Sequence, residues 1–264
     1  MTTLETETHW IAADQGRLYA HIWRARTAAA PAPPPIILFH DSLGSVALWR
    51  EFPGHLAQRT GRTVIAYDRL GFGRSDPYPG LLRSSFIRDE ASAGLQPLRE
   101  QLGIERFVAL GHSVGGCMAA SAAAQCPGAC SAVITESAQA FIEERTLEGI
   151  RTAKAMFAQP DQLERLRKYH GEKAAWVLGA WVDTWLSPGF RDWSLDDDLC
   201  RVRCPLLALH GENDEYGSAH HPHRIAELSG GPSEVEVFPH CGHVPHREIG
   251  EAVLGRIAAW LKPR

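Results

Sequence analysis

A serine flanked by glycines is the first feature of this sequence that could do chemistry. Residues 108–116 read VALGHSVGG, so Ser113 follows an apolar run, with Gly111 two residues before it and Gly115 two residues after it. A serine hydroxyl is a poor nucleophile at neutral pH, and it needs a general base and a carboxylate that orients the base. The glycines would permit a sharp strand-to-helix turn. The pattern indicates a nucleophile elbow only if the neighbouring elements support it.

Cysteine and histidine groups offer a second kind of chemistry, metal binding. Cys126 and Cys130, and likewise Cys200 and Cys204, are separated by three residues, which overlaps the wider end of zinc-ligand spacing. Neither pair has further ligands arranged as in a zinc finger or ribbon. The histidines of residues 218–224 (SAHHPHR) are more typical of an exposed loop or helix start. We therefore predict no metal site, and without an export signal the cysteines are expected to stay reduced.

The composition limits the class of protein. At 264 residues with 44% hydrophobic content, the chain can bury the core of one large α/β domain. Its formal net charge of −4 gives no basic surface for nucleic acid or an anionic membrane. The first ten residues, MTTLETETHW, lack the order of a signal peptide, and no apolar run approaches the ~18 residues of a membrane span. We expect a cytoplasmic protein that binds a small molecule, as a monomer or homodimer.

Apolar runs alternate with helix-like segments along the chain. This alternation indicates an α/β fold with a mostly parallel central sheet and helices on both faces, because parallel strands need crossover connections. Ligands in such sheets bind beyond the carboxyl ends of the strands, where Ser113 would lie. The strand-like runs are PIILFH (35–40), TVIAYD (63–68), RFVALG (106–111), SAVITES (131–137), PLLALHG (205–211) and EVEVFPH (234–240).

One segment interrupts the alternation. Residues 139–198 lack strand signals and are rich in charge and tryptophan, so we interpret them as helices inserted between two core strands. The chain then divides into a core of residues 1–138 and 199–264 and a helical lid of residues 139–198. Three lid tryptophans are candidates for the wall of an apolar substrate pocket, although packing onto the core would explain each of them as well. They are Trp176, Trp181 and Trp185.

Five motifs together resemble the α/β-hydrolase superfamily, and within it the small lidded esterases and enol-lactone hydrolases. In chain order the motifs are PIILFHDSLGS, VIAYDRLGFGRSD, ALGHSVGG, LLALHGENDE and CGHVPH. They lie on both sides of the predicted lid, and their order and approximate spacing are those of the superfamily. The resemblance implies an α/β-hydrolase fold, a serine nucleophile and no metal or organic cofactor.

The resemblance also implies a catalytic triad in the chain order Ser, Asp, His. Ser113 of GHSVG would be the nucleophile, Asp214 of HGENDE the carboxylate and His243 of CGHVPH the general base. Rival candidates lie nearby for the base and the acid. They are His240 and His246 for the base, and Glu212, Glu215 and the lid residue Asp183 for the acid.

Acyl transfer also needs hydrogen-bond donors for the developing oxyanion. One should be the backbone N–H of Val114, at the start of the helix after the nucleophile. By resemblance, the second should be the backbone N–H of Ser42, in the turn after the strand that ends at His40. The superfamily usually has glycine where this chain has Asp41. A carboxylate facing an oxyanion would oppose catalysis, so we expect Asp41 to turn away and accept hydrogen bonds from its own loop.

The resemblance implies hydrolysis of a small carboxylic ester, lactone or thioester through an acyl-enzyme on Ser113. A serine at the elbow argues against dehalogenation and epoxide opening, for which related families use aspartate. Carbon–carbon bond hydrolysis and perhydrolysis of the haloperoxidase type stay open, as does a triad-bearing small-molecule sensor, because fold alone does not fix function. Lid cations could recognise a substrate carboxylate, although solvated helix faces explain them as well. They are Arg151, Arg165, Arg167 and Lys168.

Overall fold

The central sheet accounts for every strand predicted from the sequence and adds a hairpin at one edge. The computed structural model describes residues 4–25 and 32–262, and within them eight strands form one sheet in the order β1-β2-β4-β3-β5-β6-β7-β8. Strands β3 to β8 pair in parallel, whereas β1 and β2 form an antiparallel hairpin that joins β4 antiparallel. The mostly parallel sheet is confirmed. The strands are β1 (Leu4–Ala13), β2 (Gly16–Ala25), β3 (Ile36–Phe39), β4 (Val64–Tyr67), β5 (Phe107–His112), β6 (Cys130–Glu136), β7 (Leu206–Gly211) and β8 (Ser233–Phe238).

Helices cover both faces of the sheet, which is why the central strands are apolar throughout. In β3, Ile37 and Phe39 enter one core layer and Ile36 and Leu38 enter the other, because successive side chains of a strand point to opposite faces. No helix within the described ranges is both long and apolar enough to cross a membrane. The helices are α1 (Phe52–Thr60), α2 (Phe86–Glu90), α3 (Gln96–Gln101), α4 (Val114–Gln125), α5 (Glu144–Phe157), α6 (Pro160–His170), α7 (Ala174–Trp185), α8 (Asp196–Leu199), α9 (His220–Leu228), α10 (Pro245–Glu248) and α11 (Gly250–Trp260).

Helices α5, α6 and α7 lie between β6 and β7, inside the segment 139–198 that was predicted to form a lid. His170, the last residue of α6, attaches them to two loops of the core. Its Nδ1 accepts a hydrogen bond from the Gly73 N–H at 2.8 Å, and its Nε2 lies 3.0 Å from the Leu43 carbonyl oxygen. Lys173 Nζ donates to the Gly73 carbonyl at 2.8 Å. The inserted helices are therefore anchored to the loops that follow β3 and β4.

Candidate active site

Ser113 occupies the turn between β5 and α4, at the carboxyl edge of the sheet. Its backbone has φ 56° and ψ −127°, a positive φ that residues other than glycine adopt only under local constraint. This residue borders a cavity under the inserted helices. A strand-to-helix turn of this kind holds the serine hydroxyl above the sheet edge, clear of the backbone.

The glycines on either side of Ser113 are required by close backbone approaches. A Cβ atom at Gly111 would lie 2.0 Å from the carbonyl oxygen of Gly115, and a Cβ atom at Gly115 would lie 2.0 Å from the carbonyl oxygen of Phe39. The obstructing atoms belong to the backbone, so no rotation of a side chain relieves the overlap. The turn therefore packs β5, α4 and the neighbouring strand β3 more closely than any side chain would allow.

The Gly115→Ala variant is expected to lose roughly 1–3 kcal/mol of unfolding free energy, because its new methyl group overlaps the Phe39 carbonyl. Urea denaturation of wild type and variant measures this loss as a lower midpoint. Gly255→Ala in α11 is the matched control, since a Cβ there meets no atom within 4 Å. Alanine favours a helix over glycine, so the control should be as stable as wild type or more stable. Equal midpoints for the two variants would contradict the close approach at Gly115.

Asp214 and His243 form a hydrogen-bonded pair at the same edge of the sheet. Asp214 follows β7, and His243 lies in the loop between β8 and α10. His243 Nδ1 lies 2.8 Å from Oδ2 and 2.9 Å from Oδ1 of Asp214, and the Tyr216 N–H donates to Oδ1 at 2.7 Å. Burial would raise the pKa of Asp214, but the hydrogen bond and charge of His243 hold that pKa below its ordinary value. Asp214 is therefore an ionised carboxylate at neutral pH.

This pairing sets the protonation of the imidazole ring. An ionised carboxylate can only accept a hydrogen bond, so the Nδ1 of His243 carries the proton and Nε2 keeps a lone pair. Within the described residues the ring is hydrogen-bonded to Asp214 alone. His243 and Ser113 line the same cavity, and the bond between base and nucleophile often tightens only when substrate binds. Nε2 is thus available to take the proton of the serine hydroxyl.

The rival bases and acids lie in other environments. His246 is buried, and its Nδ1 lies 2.6 Å from Glu136 Oε2. His240 is exposed, and its backbone N–H donates to Glu212 at 3.1 Å. Asp183, on α7, lies 3.7 Å from Lys154. Ser113 and His243 line the same cavity, the buried Asp214 is hydrogen-bonded to His243, and these rivals pair with other residues.

The backbone amides of Val114 and Ser42 are the two expected oxyanion donors. Val114 begins α4, where the first N–H groups of a helix have no intrahelical partner. In the loop after β3, the Leu43 N–H donates to Asp41 Oδ1 at 2.8 Å and the Gly44 N–H donates to the Asp41 carbonyl at 3.1 Å. These bonds leave the Ser42 amide uncommitted in that turn, and Ser42 and Val114 border the same small void. The Asp41 carboxylate accepts its hydrogen bond from its own loop.

A cavity of about 410 Å³ lies between the inserted helices and the carboxyl edge of the sheet. Trp181 and Trp185 form part of its wall, but Trp176 does not, which departs from the prediction for that residue. Trp176 instead stacks on Tyr78 with ring centroids 5.4 Å apart, and its Nε1 donates to the Gly80 carbonyl at 2.8 Å. Trp176 therefore holds α7 against the loop after β4.

Sequence reasoning missed several residues of the cavity wall. Helix α5 presents Thr146, Ile150 and Phe157 to the cavity, and their separations of four and seven residues place them on one helix face. That spacing was a usable signal. Tyr216, two residues after Asp214, also lines the cavity, with its ring centroid 4.7 Å from that of His243. No sequence pattern identified Tyr216 as a residue of the cavity wall.

The cations of the inserted helices divide into paired residues and residues that line the cavity. Arg151 lies 2.6 Å from Glu144, and Arg167 lies 2.9 Å from Glu164, as expected of solvated helix faces. Arg165 lines the cavity, where Arg247 is a second arginine. Glu215 also lines the cavity and is exposed. The cavity mouth therefore carries charges of both signs.

One buried cluster has the composition of a metal site. His112, Glu136 and His246 bring possible ligand atoms within 4.8 Å of one another. These atoms already have hydrogen-bond partners: His246 Nδ1 lies 2.6 Å from Glu136, and His112 Nε2 lies 2.8 Å from the His243 carbonyl oxygen. We therefore interpret the cluster as a hydrogen-bonded charge network.

A mostly parallel sheet with a serine elbow and an Asp–His pair at its carboxyl edge is the arrangement of hydrolases with an α/β fold. The model of the alpha/beta hydrolase fold family matches residues 34–169, which is more than half of the chain. The chain belongs to this family.

Individual relatives have diverse substrates. The proline iminopeptidase of Lactobacillus helveticus is 25% identical over 274 residues, covering 86% of this chain and 90% of that protein. The structure of a proline iminopeptidase from Mycobacterium smegmatis has a TM-score of 0.71 at 22% identity and covers 97% of both chains. The 2-hydroxy-6-oxo-6-phenylhexa-2,4-dienoate hydrolase of Rhodococcus sp. strain RHA1 has a TM-score of 0.79 at 17% identity, covering 97% of this chain and 99% of that chain. These structural likenesses show the fold.

Proposed function

We propose that the chain is a serine hydrolase that cleaves a small carboxylic ester, lactone or thioester through an acyl-enzyme on Ser113. The observation that carries this proposal is that His243, hydrogen-bonded to the buried Asp214, lines the same cavity as Ser113. A nucleophile, a base with a fixed tautomer and an ionised orienting carboxylate are the parts that acyl transfer requires.

In the proposed mechanism, the Ser113 Oγ attacks the substrate carbonyl while His243 Nε2 takes the hydroxyl proton. The amides of Ser42 and Val114 bind the negative charge that develops on the carbonyl oxygen. The tetrahedral intermediate expels the alcohol or thiol, which leaves with the proton held by His243, and an acyl-enzyme remains. His243 then takes a proton from water, the resulting attack releases the acid, and Ser113 regains its proton. Asp214 stabilises the imidazolium in both halves of the reaction.

The cavity favours a small substrate with an apolar part. Its volume of about 410 Å³ lies in the lower part of the range of small-molecule sites, roughly 300–1,000 Å³. Trp181, Trp185, Ile150, Phe157 and Leu166 give it extensive apolar walls. An acyl chain or a ring would be removed from water there, while the reacting carbonyl stays at the polar end beside Ser113.

A second candidate is cleavage of an N-terminal proline from a peptide. It is favoured by the proline iminopeptidases among the relatives and by Glu215, a cavity carboxylate that could bind the substrate amine. The other cavity carboxylate, Asp41, already faces His112, with Oδ2 3.6 Å from its Nδ1. Glu215 is exposed, so solvent screens its charge, and an ion pair between Glu215 and the substrate ammonium would contribute only about 0–1 kcal/mol. We therefore favour the ester substrate.

The two candidates are separated by comparing p-nitrophenyl butyrate with prolyl-p-nitroanilide. We expect kcat/KM for the ester to exceed that for the anilide by about 100-fold or more, which corresponds to about 2.7 kcal/mol of transition-state binding. Glu215→Gln should leave ester hydrolysis unchanged, and Glu212→Gln, a neighbouring exposed carboxylate, is the control. Faster hydrolysis of the anilide, abolished by Glu215→Gln but not by Glu212→Gln, would establish the peptidase instead.

A further inference from the structure

Asp41 links the loop after β3 (residues 41–44, here called the oxyanion loop) to a buried histidine. Its Oδ1 accepts the Leu43 N–H at 2.8 Å, and its Oδ2 lies 3.6 Å from the Nδ1 of His112. The first contact fixes the turn that presents the Ser42 amide. The second reaches across to β5, because β3 and β5 are parallel neighbours with Phe39 opposite Gly111. A glycine at position 41 could make neither side-chain contact.

His112 in turn holds the loop of the candidate base. It immediately precedes Ser113, its side chain is 3% exposed, and its Nε2 lies 2.8 Å from the backbone carbonyl oxygen of His243. A carbonyl can only accept, so Nε2 carries a proton. Nδ1 has no other partner within the described residues and faces Asp41. One ring therefore spans the oxyanion loop and the base loop, directly beside the nucleophile.

The surroundings of His112 favour its doubly protonated form. The titratable groups that face the ring are Asp41, Glu136, His243 and His246, and Trp49 packs against its edge. Burial would lower the pKa of His112, but the carboxylates of Asp41 and Glu136 raise it overall. For the carboxyl group of Asp41, burial acts in the opposite direction and would raise the pKa, but the hydrogen bond and charge of His112 hold that pKa well below its ordinary range. A cation on His112 also offsets the carboxylate charge beside the oxyanion site.

We propose that Asp41 and His112 form a charged positioning pair that couples the oxyanion loop to the loop of the catalytic base. This inference rests on the proposed serine hydrolase function. The pair touches no reacting atom. It holds the Ser42 amide and the His243 ring in position relative to Ser113. The charge of His112 also compensates the negative charge that the Asp41 carboxylate would otherwise present to the oxyanion.

The pair has a defined pH dependence. Because the pKa of His112 is raised, the cation is fully present below the ordinary imidazole range and is lost as the pH rises through the raised pKa. Loss of the proton on Nδ1 removes the cation that faces the Asp41 carboxylate, and among the described residues Arg69, which donates to the Asp41 backbone carbonyl at 2.9 Å, is then the remaining cation beside it. The turnover rate should therefore fall on the alkaline side.

The test compares wild type, Asp41→Asn, His112→Gln and the double variant with p-nitrophenyl butyrate between pH 5 and 10. Asp41→Asn keeps an acceptor for the Leu43 N–H and removes the charge. We expect kcat to fall by about 10- to 100-fold, as displaced catalytic groups do, with KM changed less than about 3-fold. The double variant should lose no more than the worse single variant, because the two residues act as a unit. The alkaline fall of kcat should disappear in each variant.

The controls separate this inference from simple misfolding and from failure of the proposed function. Asp192→Asn, an exposed carboxylate away from the cavity, should behave as wild type. If His112→Gln does not fold, Asp41→Gly replaces it, and it should lose kcat although glycine is the usual residue of the family. If Asp41→Asn keeps the kcat of wild type and the same fall of kcat at alkaline pH, the proposed role of the Asp41–His112 pair is wrong, while the proposed hydrolase function stands. A wild type that neither turns over esters nor reacts with a fluorophosphonate would overturn both.

Discussion

Replacing Ser113 with alanine is expected to lower kcat for p-nitrophenyl butyrate by about 10⁴- to 10⁶-fold, since loss of the nucleophile removes the whole acyl-enzyme route. The variant should also lose covalent labelling by a fluorophosphonate, which intact-mass measurement detects as a single adduct on wild type. The reason is local: Ser113, in the turn between β5 and α4, lines the same cavity as His243, the proposed base. The fold should be unaffected, because one buried hydroxyl oxygen is removed without new volume.

Ser42→Ala is the matched control for this prediction. It removes a second cavity hydroxyl but keeps the backbone amide that is proposed to bind the oxyanion. Its kcat should stay within about 3-fold of wild type, because the donor is the backbone. Labelling that persists in Ser113→Ala would place the nucleophile elsewhere. Absence of labelling and turnover in wild type would favour a small-molecule sensor on the same scaffold.

Replacing Asp214 with asparagine is expected to lower kcat by about 10⁴-fold, as loss of the orienting carboxylate does in other serine triads. The amide can present N–H to His243 Nδ1, which favours the tautomer with the proton on Nε2 and so disables the base. Because the pKa of Asp214 is lowered, wild type keeps this carboxylate ionised throughout the neutral range and below the ordinary carboxyl pKa. Protonation of Asp214 should therefore not limit kcat in the neutral range.

Steady-state kinetics at pH 7 and pH 9 measure this loss. Glu212→Gln is the control, because Glu212 is a neighbouring carboxylate that binds the His240 amide and does not line the cavity. Its kcat should match wild type at both pH values. A 10⁴-fold loss of kcat in Glu212→Gln, with little change in Asp214→Asn, would show that Glu212 and not Asp214 is the carboxylate that orients the base.

Much of this architecture follows from local patterns. The runs predicted as strands correspond to β3 to β8. Strands β3, β4, β5 and β7 are buried along their whole length and are therefore mostly apolar, whereas the edge strand β8 alternates glutamate with apolar residues. The hairpin of β1 and β2 was not predicted in detail. Much of β1 is exposed, so its sequence mixes polar and apolar residues, and its pairing depends on contact with β4 through β2.

The tryptophans of α7 have a helical spacing that predicts which of them face the cavity. Trp181 and Trp185 are four residues apart on α7 and therefore share a helix face, which lines the cavity. Trp176 precedes Trp181 by five residues, which turns it about 140° around the helix at 3.6 residues per turn. Helical spacing alone thus separates the two groups. The contact of Asp41 with His112 is different, because it depends on the spatial order of β3 and β5, which the chain order does not give.

The anchoring of α6 has a mechanical consequence. Burial lowers the pKa of His170, so its ring is neutral, which is the form that can accept the Gly73 N–H at Nδ1 while donating to the Leu43 carbonyl from Nε2. Leu43 directly follows Ser42. A displacement of α6 would therefore break the contact between His170 and the Leu43 carbonyl, and it would release the loop that carries the Ser42 amide. The position of α6 over the cavity and the position of the Ser42 amide are therefore expected to be coupled through the single ring of His170.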